Sequence, residues 1–257
     1  MSPAPAVPAF SSVSPATLPP YFLRRHLWLP LLATLAASTV LMGLGGDQWL
    51  ADQVYRLEGH HWALQNAWLT SQLVHKGGKW ASTSAALVAI LLCLHAWRSE
   101  RAAAWRWPLL YLVLSVALGT GLVSLLKSLT NMDCPWDLAR YGGVRDYVGL
   151  LASRAAGMPR GECFPGGHSS AGFAWVALYF FAWMVRPAWR WRGLAVGLLA
   201  GTLFGASQQL RGAHFLSHDL WTLATCWAVS LGLYLLVQRR SGAQRVAPAM
   251  LAQGDAA

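Results

Sequence analysis

Six apolar runs set the terms for this chain. They cover 27–45, 80–97, 108–126, 168–185, 193–210 and 220–237. Each approaches the roughly 20 residues that a helix needs to cross a bilayer core. Within lipid, backbone polar groups must be satisfied inside the segment, which makes such runs helical. The expected fold class is therefore all-α: a polytopic membrane protein with six transmembrane helices. Charged residues make up only 12% of the chain and hydrophobic ones 55%, whereas soluble domains carry about a quarter charged. Most of the 15 Trp lie near the ends of apolar runs, as in an aromatic belt at a membrane interface. The net charge of +10 does not point to nucleic acid, because the basic residues flank apolar runs instead of covering a polar face.

The basic residues also give an orientation. Arg24 and Arg25, Arg98, Arg101 and Arg106, Arg186, Arg190 and Arg192, and Arg239, Arg240 and Arg245 crowd the short links and tails on one side. By the positive-inside rule that side is cytoplasmic, and six helices put both termini there. The other side holds 46–79, 127–167 and 211–219; in a bacterial inner membrane it faces the periplasm. Residues 47–74, with Trp49, Trp62 and Trp68, read as a surface-lying helix. Residues 1–22 and 241–257 read as disordered cytoplasmic segments around a single membrane domain, 23–240. Arg24 and Arg25 precede a run of near-spanning length, which reads as an uncleaved first helix and not a signal peptide.

Three polar islands end the apolar runs on the periplasmic side: Lys127–Pro135 (KSLTNMDCP), Phe164–Ser170 (FPGGHSS) and Ser207–Asp219 (SQQLRGAHFLSHD). Six-helix topology gathers them at one membrane face. They bring together Lys127, Arg211, His168, His214 and His218, cations that repel one another unless an anion joins them. Gly166 and Gly167 before a helix start allow a turn whose N–H groups point at an anion, and Ser169 adds a hydroxyl. Arg140 and Arg145 sit in the same outer loop.

With those residues in hand, the chain resembles the type 2 phosphatidic acid phosphatase superfamily, which shares its site with vanadium haloperoxidases. The family pattern is Lys, six residues, Arg-Pro; then Pro-Ser-Gly-His; then Ser-Arg, five residues, His, three residues, Asp. Lys127, Pro135, Pro165, Gly167, His168, Ser207 and His214 match in order and spacing. The resemblance implies a metal-free, cofactor-free phosphohydrolase or phosphotransferase acting on a membrane lipid phosphate through a phosphohistidine. His214 is then the nucleophile, His168 the general acid, and Lys127 a phosphate ligand. Candidate substrates are polyprenyl diphosphate, phosphatidylglycerol phosphate, phosphatidic acid and lipid A.

Four positions depart from the pattern: Cys134 and Gln208 stand where the family has Arg, Gly166 where it has Ser, and His218 where it has Asp. Arg211, one helical turn past Gln208, and Arg140 or Arg145 are the expected substitutes. Either Asp219 or His218 orients His214. Losing both Arg positions also keeps a rival open, a non-enzymatic lipid transporter or scaffold. The i, i+4 pair His214 and His218 suits zinc, but the flanking cations oppose a divalent ion. His60, His61 and His75 read as interfacial anchors, and His95 as a packing residue. Cys93 and Cys226 fall inside spans. Cys134 and Cys163 share the outer loop and are expected to form a disulfide.

Overall fold

The computed structural model describes residues 20–150, 152–155 and 157–254, with side chains to 239. Of the disordered segments expected at 1–22 and 241–257, residues 1–19 and 255–257 lie outside the described residues. Eight helices account for most of what is described: α1 Arg24–Gly43, α2 Gly46–Leu57, α3 Leu69–Arg98, α4 Arg106–Leu129, α5 Gly167–Phe173, α6 Ala177–Val185, α7 Arg190–Leu210 and α8 Leu216–Gly254. A 3-10 turn, Ala174–Val176, joins α5 to α6 in one rod, and another, Glu100–Trp105, leads into α4. Among the described residues there is no strand, only an isolated bridge between Leu138 and Arg145.

Four stretches are long and apolar enough to cross a membrane: Arg24–Gly43, Leu69–Arg98, Glu100–Leu129 and Leu216–Arg239. The other two expected spans are also helical, as the α5–α6 rod and α7. Polar residues at one end of each, His168–Ser170 and Ser207–Gln209, dilute their apolar character. Helix α8 continues to Gly254, where a disordered tail was expected from 241; Ala, Arg and Gln there are good helix formers. The expected surface helix of 47–74 is shorter. It ends at Leu57, and the chain turns through 58–68 into α3, whose first turns, Leu69–Gly77, are wound as a π-helix.

The bundle packs around the α5–α6 rod. Phe180, Val176 and Ala177 are fully buried among α4 and α8, with Tyr111, Val123 and Cys226. The Tyr111 hydroxyl donates to the Ser230 carbonyl at 3.1 Å, tying α4 to α8. Helices α5 and α7 approach so closely that a Cβ at Gly172 would run into the Gly201 backbone. Small residues are what permit such contact between membrane helices. The outer surface is apolar, with Leu87, Leu91, Leu199 and Leu203 all more than half exposed. Such a continuous apolar belt suits lipid and not water.

Candidate active site

The site is assembled where α4, α5, α7 and α8 begin or end. Lys127 lies in the last turn of α4 and reaches the start of α5: a Cβ at Gly167 would lie 3.6 Å from its Nζ. The chain then turns back on itself. The Cys163 amide donates to the Met132 carbonyl at 3.0 Å, and the Gly161 amide to Asn131 Oδ1 at 2.7 Å. A disulfide joins Cys134 to Cys163 across these two segments, with Cα atoms 5.3 Å apart. Cys134, where the resemblance leads one to expect Arg, is in this chain a covalent link between the two segments.

Beyond the disulfide, the Gly166 amide donates to the His218 carbonyl at 3.1 Å. Thr222 Oγ1 returns a bond to the Gly166 carbonyl at 3.0 Å. The start of α5 is thereby fixed against the start of α8. Helix α8 is in turn held by α2, because Asp47 Oδ1 accepts from the Ser217 amide at 2.9 Å. That is an N-cap supplied from a distant element. Burial raises the Asp47 pKa, and the Ser217 bonds oppose the rise.

One cavity of about 980 Å³ opens between these ends. Lys127, Arg145, Gly167, His168, Arg211 and His214 line it, so six of the expected residues meet in one place. Arg145 comes with carboxylates attached: its Nη1 is 2.5 Å from Asp133 Oδ1 and 3.8 Å from Asp137 Oδ2. Arg140 does not line the cavity; it pairs with Asp52 on α2 and holds that carboxyl below its ordinary range. Ser169 is fully buried and donates to the Gly166 carbonyl at 3.0 Å, while its neighbour Ser170 reaches the cavity wall.

His214 sits in the link between α7 and α8. Gly212, at φ 69°, turns the chain there, and its Cα packs against the Trp62 ring so closely that no side chain fits. Positive φ and close approach both demand glycine at that point. His214 Nδ1 lies 3.2 Å from His218 Nδ1. His218 is fully buried between the Phe164 and Phe215 rings. Asp219 points the other way: its Oδ2 accepts from Gln209 Nε2 at 2.7 Å, and it packs against Gly205. His218, not Asp219, is therefore the partner of His214. Burial first, and then the charge of Lys127, push the His214 pKa down to about 3. The ring is neutral at any physiological pH and keeps one nitrogen lone pair.

On the opposite wall, a chain of contacts runs from the end of α7 to α5. Arg211 Nε donates to the Gln65 carbonyl at 2.7 Å, and its Nη1 donates to Gln208 Oε1 at 3.2 Å. Gln208 Nε2 meets His75 Nδ1 at 3.2 Å. The His75 ring packs against His168 with centroids 4.2 Å apart and the ring planes tilted by 33°. His75 and Lys79, one turn apart on α3, both line the cavity. Sequence reasoning placed His75 among the interfacial anchors and left Lys79 without a role. Their i, i+4 spacing beside an apolar run was the available signal.

The geometry is that of an anion pocket with two histidines on facing walls. A family model described as the PAP2 superfamily matches residues 108–241, about half of the chain. The chain belongs to the PAP2 superfamily. That membership carries a phosphatase-type function, and the long apolar helices make it a membrane protein. No curated protein and no solved structure gives a significant match. The PAP2 match begins after α3, so Asp47, His75 and Lys79 are additions from outside the matched region.

Proposed function

We propose that this PAP2 protein is an integral membrane lipid phosphatase that works through a phosphohistidine on His214. The observation that carries the reading is the single cavity shared by His168, His214, Lys127 and Arg211, with His214 neutral and held by His218. Lys127 and Arg211 bind the phosphate. The ring nitrogen of His214 facing away from His218 attacks phosphorus, and His168 protonates the leaving oxygen. Water or a second lipid then takes the phosphoryl group, with His168 accepting the proton. Lys127, Arg211 and the amides at the start of α5 stabilise charge on the transferring group.

The α5–α6 rod and α7 serve as the fourth and fifth spans. A helix of about 20 residues is roughly 30 Å long, enough for the hydrocarbon core. The cavity then faces the outer side of a bacterial inner membrane, and both termini are cytoplasmic. The bilayer itself supplies the substrate, a lipid phosphate.

Purified protein in detergent, given a panel of lipid phosphates, tests the reading. Wild type should release inorganic phosphate. His214→Ala should lose activity by several orders of magnitude while remaining folded, since the covalent route is gone. Lipid binding without turnover by wild type would instead favour the transporter or scaffold reading. Near-normal turnover by His214→Ala would sink the mechanism.

A further inference from the structure

The end of the bundle opposite the cavity carries a charge imbalance of its own. Arginines crowd the helix ends there. Among the described residues Glu100 is the only carboxylate with them, and it pairs with Arg106 at 2.6 Å. The corner between α6 and α7 gathers three of these cations. The Arg186 guanidinium lies 4.4 Å from the centroid of the Trp189 ring, and that of Arg192 lies 5.3 Å from the same centroid. Arg190 lies 5.3 Å from the Trp183 centroid and 5.6 Å from that of Trp191, and its Nη1 donates to the Pro187 carbonyl at 3.2 Å. Among the described residues no carboxylate pairs with Arg186, Arg190 or Arg192. A ring face attracts the cation and holds it in place. The N–H donors lie in the guanidinium plane, so stacking leaves them open to an anion. Trp189 is 46% exposed, so an anion can reach the two cations on its ring.

Helix α1 is locked beside this corner. His26 Nδ1 donates to the Phe22 carbonyl at 2.8 Å, so its Nε2 accepts from the Tyr179 hydroxyl at 2.9 Å. Trp227 Nε1 donates to the His26 carbonyl at 2.6 Å. Arg25 and Arg190 both lie close enough to this His26–Tyr179 pair to act on it electrostatically, which adds a fourth cation to the corner. From Arg192, α7 runs on through Val196, Leu199 and Leu203, positions that share one helix face. All three are more than half exposed. About 16 Å of helix separates Arg192 from Leu203. A bare phosphate gains nothing from such a face. A phospholipid with its phosphate at Arg192 lays a chain along it.

With α7 serving as a membrane span, as proposed above, we infer that the α6–α7 corner is a binding site for an anionic phospholipid of the leaflet at that end. Its phosphodiester sits between Arg186 and Arg192, and an acyl chain lies along Val196, Leu199 and Leu203. Basic pockets between membrane helices recognise lipid head groups in this way. The lipid is a ligand and not a substrate, because the histidines lie at the other end of α5–α6 and α7. Its phosphate neutralises guanidiniums that otherwise repel one another across Trp189, and so stabilises the turn that joins the α5–α6 rod to α7.

The experiment compares melting temperatures of the full-length protein in nanodiscs of phosphatidylcholine alone and of an equal mixture with phosphatidylglycerol. Wild type should melt about 2–4 °C higher in the mixture, because a ligand of the folded state stabilises it. Arg186→Lys with Arg192→Lys keeps the charge that orients the helices and loses the planar, stacked donors. It should lose most of that rise, and so should Trp189→Leu. Arg98→Gln with Arg101→Gln removes two charges from the same end of the bundle and should keep the rise. Native mass spectrometry should find phosphatidylglycerol retained on wild type and not on the Lys pair. An equal rise in every variant, or a loss in the Arg98 and Arg101 pair as large as in the corner pair, would mean diffuse surface charge and overturn the inference. Inorganic phosphate reproducing the difference between wild type and the Lys pair would make the corner a bare anion site and overturn it as well. Protein that stays monodisperse in buffer without detergent or lipid would overturn the span reading and the inference with it.

Discussion

The Nδ1 atoms of His214 and His218 face each other at 3.2 Å, and only one proton fits between them. Each neutral imidazole has one donor and one acceptor nitrogen. If His214 is to attack through its other nitrogen, its proton must sit on Nδ1 and point at His218. His218 must then carry its own proton on Nε2, an atom that is buried without a partner. The family pattern places Asp there, an acceptor that fixes the tautomer with a negative charge. Here an uncharged His218 and the Cys163 carbonyl, which accepts from the His214 ring, stand in for that carboxylate.

His218→Ala should accordingly lower kcat far more than it raises KM, because the lost tautomer control affects chemistry and not phosphate binding. A loss of about 10²–10⁴ fits the cost of a wrong tautomer in other histidine-dependent sites. His218→Asn keeps an acceptor oxygen and should recover part of it. Steady-state kinetics on one lipid phosphate decide the matter; a change confined to KM contradicts the role.

The Gln208–His75 contact at 3.2 Å makes a second prediction. Gln208 stands at the family's second Arg position, and it links Arg211 to the ring packed against His168. Arg211→Ala removes a proposed phosphate ligand, and activity should fall about tenfold to a hundredfold. His75→Ala frees the His168 ring and should alter the pH profile of kcat as well as its size. His75→Phe preserves the ring-on-ring packing and loses the hydrogen bond, so it separates the two contributions.

The parts of this site that repeat a spaced motif were legible in the sequence. Lys127, His168 and His214 end or open apolar runs, so a topology of spans alone brings them to one face. The disulfide was legible as well, since Cys134 lies in one island and Cys163 immediately precedes the next. His75 and Lys79 were not, because Lys76, Gly77, Gly78 and Lys79 break the apolar count and hide the first turns of α3. Those turns form through contacts with α7 and α5, where Gly78 packs under Phe204. The choice between Ser169 and Ser170 depends on helix phase, since adjacent positions point about 100° apart. The partner of Arg140 is Asp52, 88 residues away, a pairing that no local spacing signals.

The disulfide should be required for activity. It closes a loop of 29 residues beside Lys127 and His168, and such a closure contributes on the order of 3–4 kcal/mol. Reduction under native conditions should lower phosphate release and increase protease cleavage within 135–162. Cys134→Ser with Cys163→Ser should do the same without reductant. Full activity in the double variant would show that the staple is dispensable.

Acid should destabilise the protein through His214. Its folded pKa is about 3 against an ordinary value of 6.5, chiefly because it is buried. Between those values the unfolded chain binds a proton that the folded chain does not. Stability from this group is therefore intact above about pH 6.5 and is lost progressively as pH falls toward 3. His214→Gln cannot bind that proton, so its melting temperature should fall less steeply over the same window. Parallel pH profiles of wild type and His214→Gln, read by thermal unfolding in detergent, would mean that other groups govern acid stability.

Asp47 offers the last prediction, because it connects a helix outside the PAP2 match to the segment that carries His214. Its Oδ1 caps α8 at Ser217, the residue before His218 and three after His214. Its Oδ2 is buried without a partner, and burial raises its pKa. Asp47→Ala removes the acceptor, leaves the Ser217 amide unpaired and should cost about 1–2 kcal/mol. Frayed at its start, α8 no longer holds His218 at 3.2 Å from His214, so kcat should fall together with stability. Asp47→Asn separates the two effects: it keeps a capping oxygen and removes the buried charge. It should retain most of the stability and most of kcat. If instead Asp47→Asn loses kcat while its melting temperature stays near wild type, the charge of Asp47 acts on the reaction directly, and its part is electrostatic and not the placing of α8.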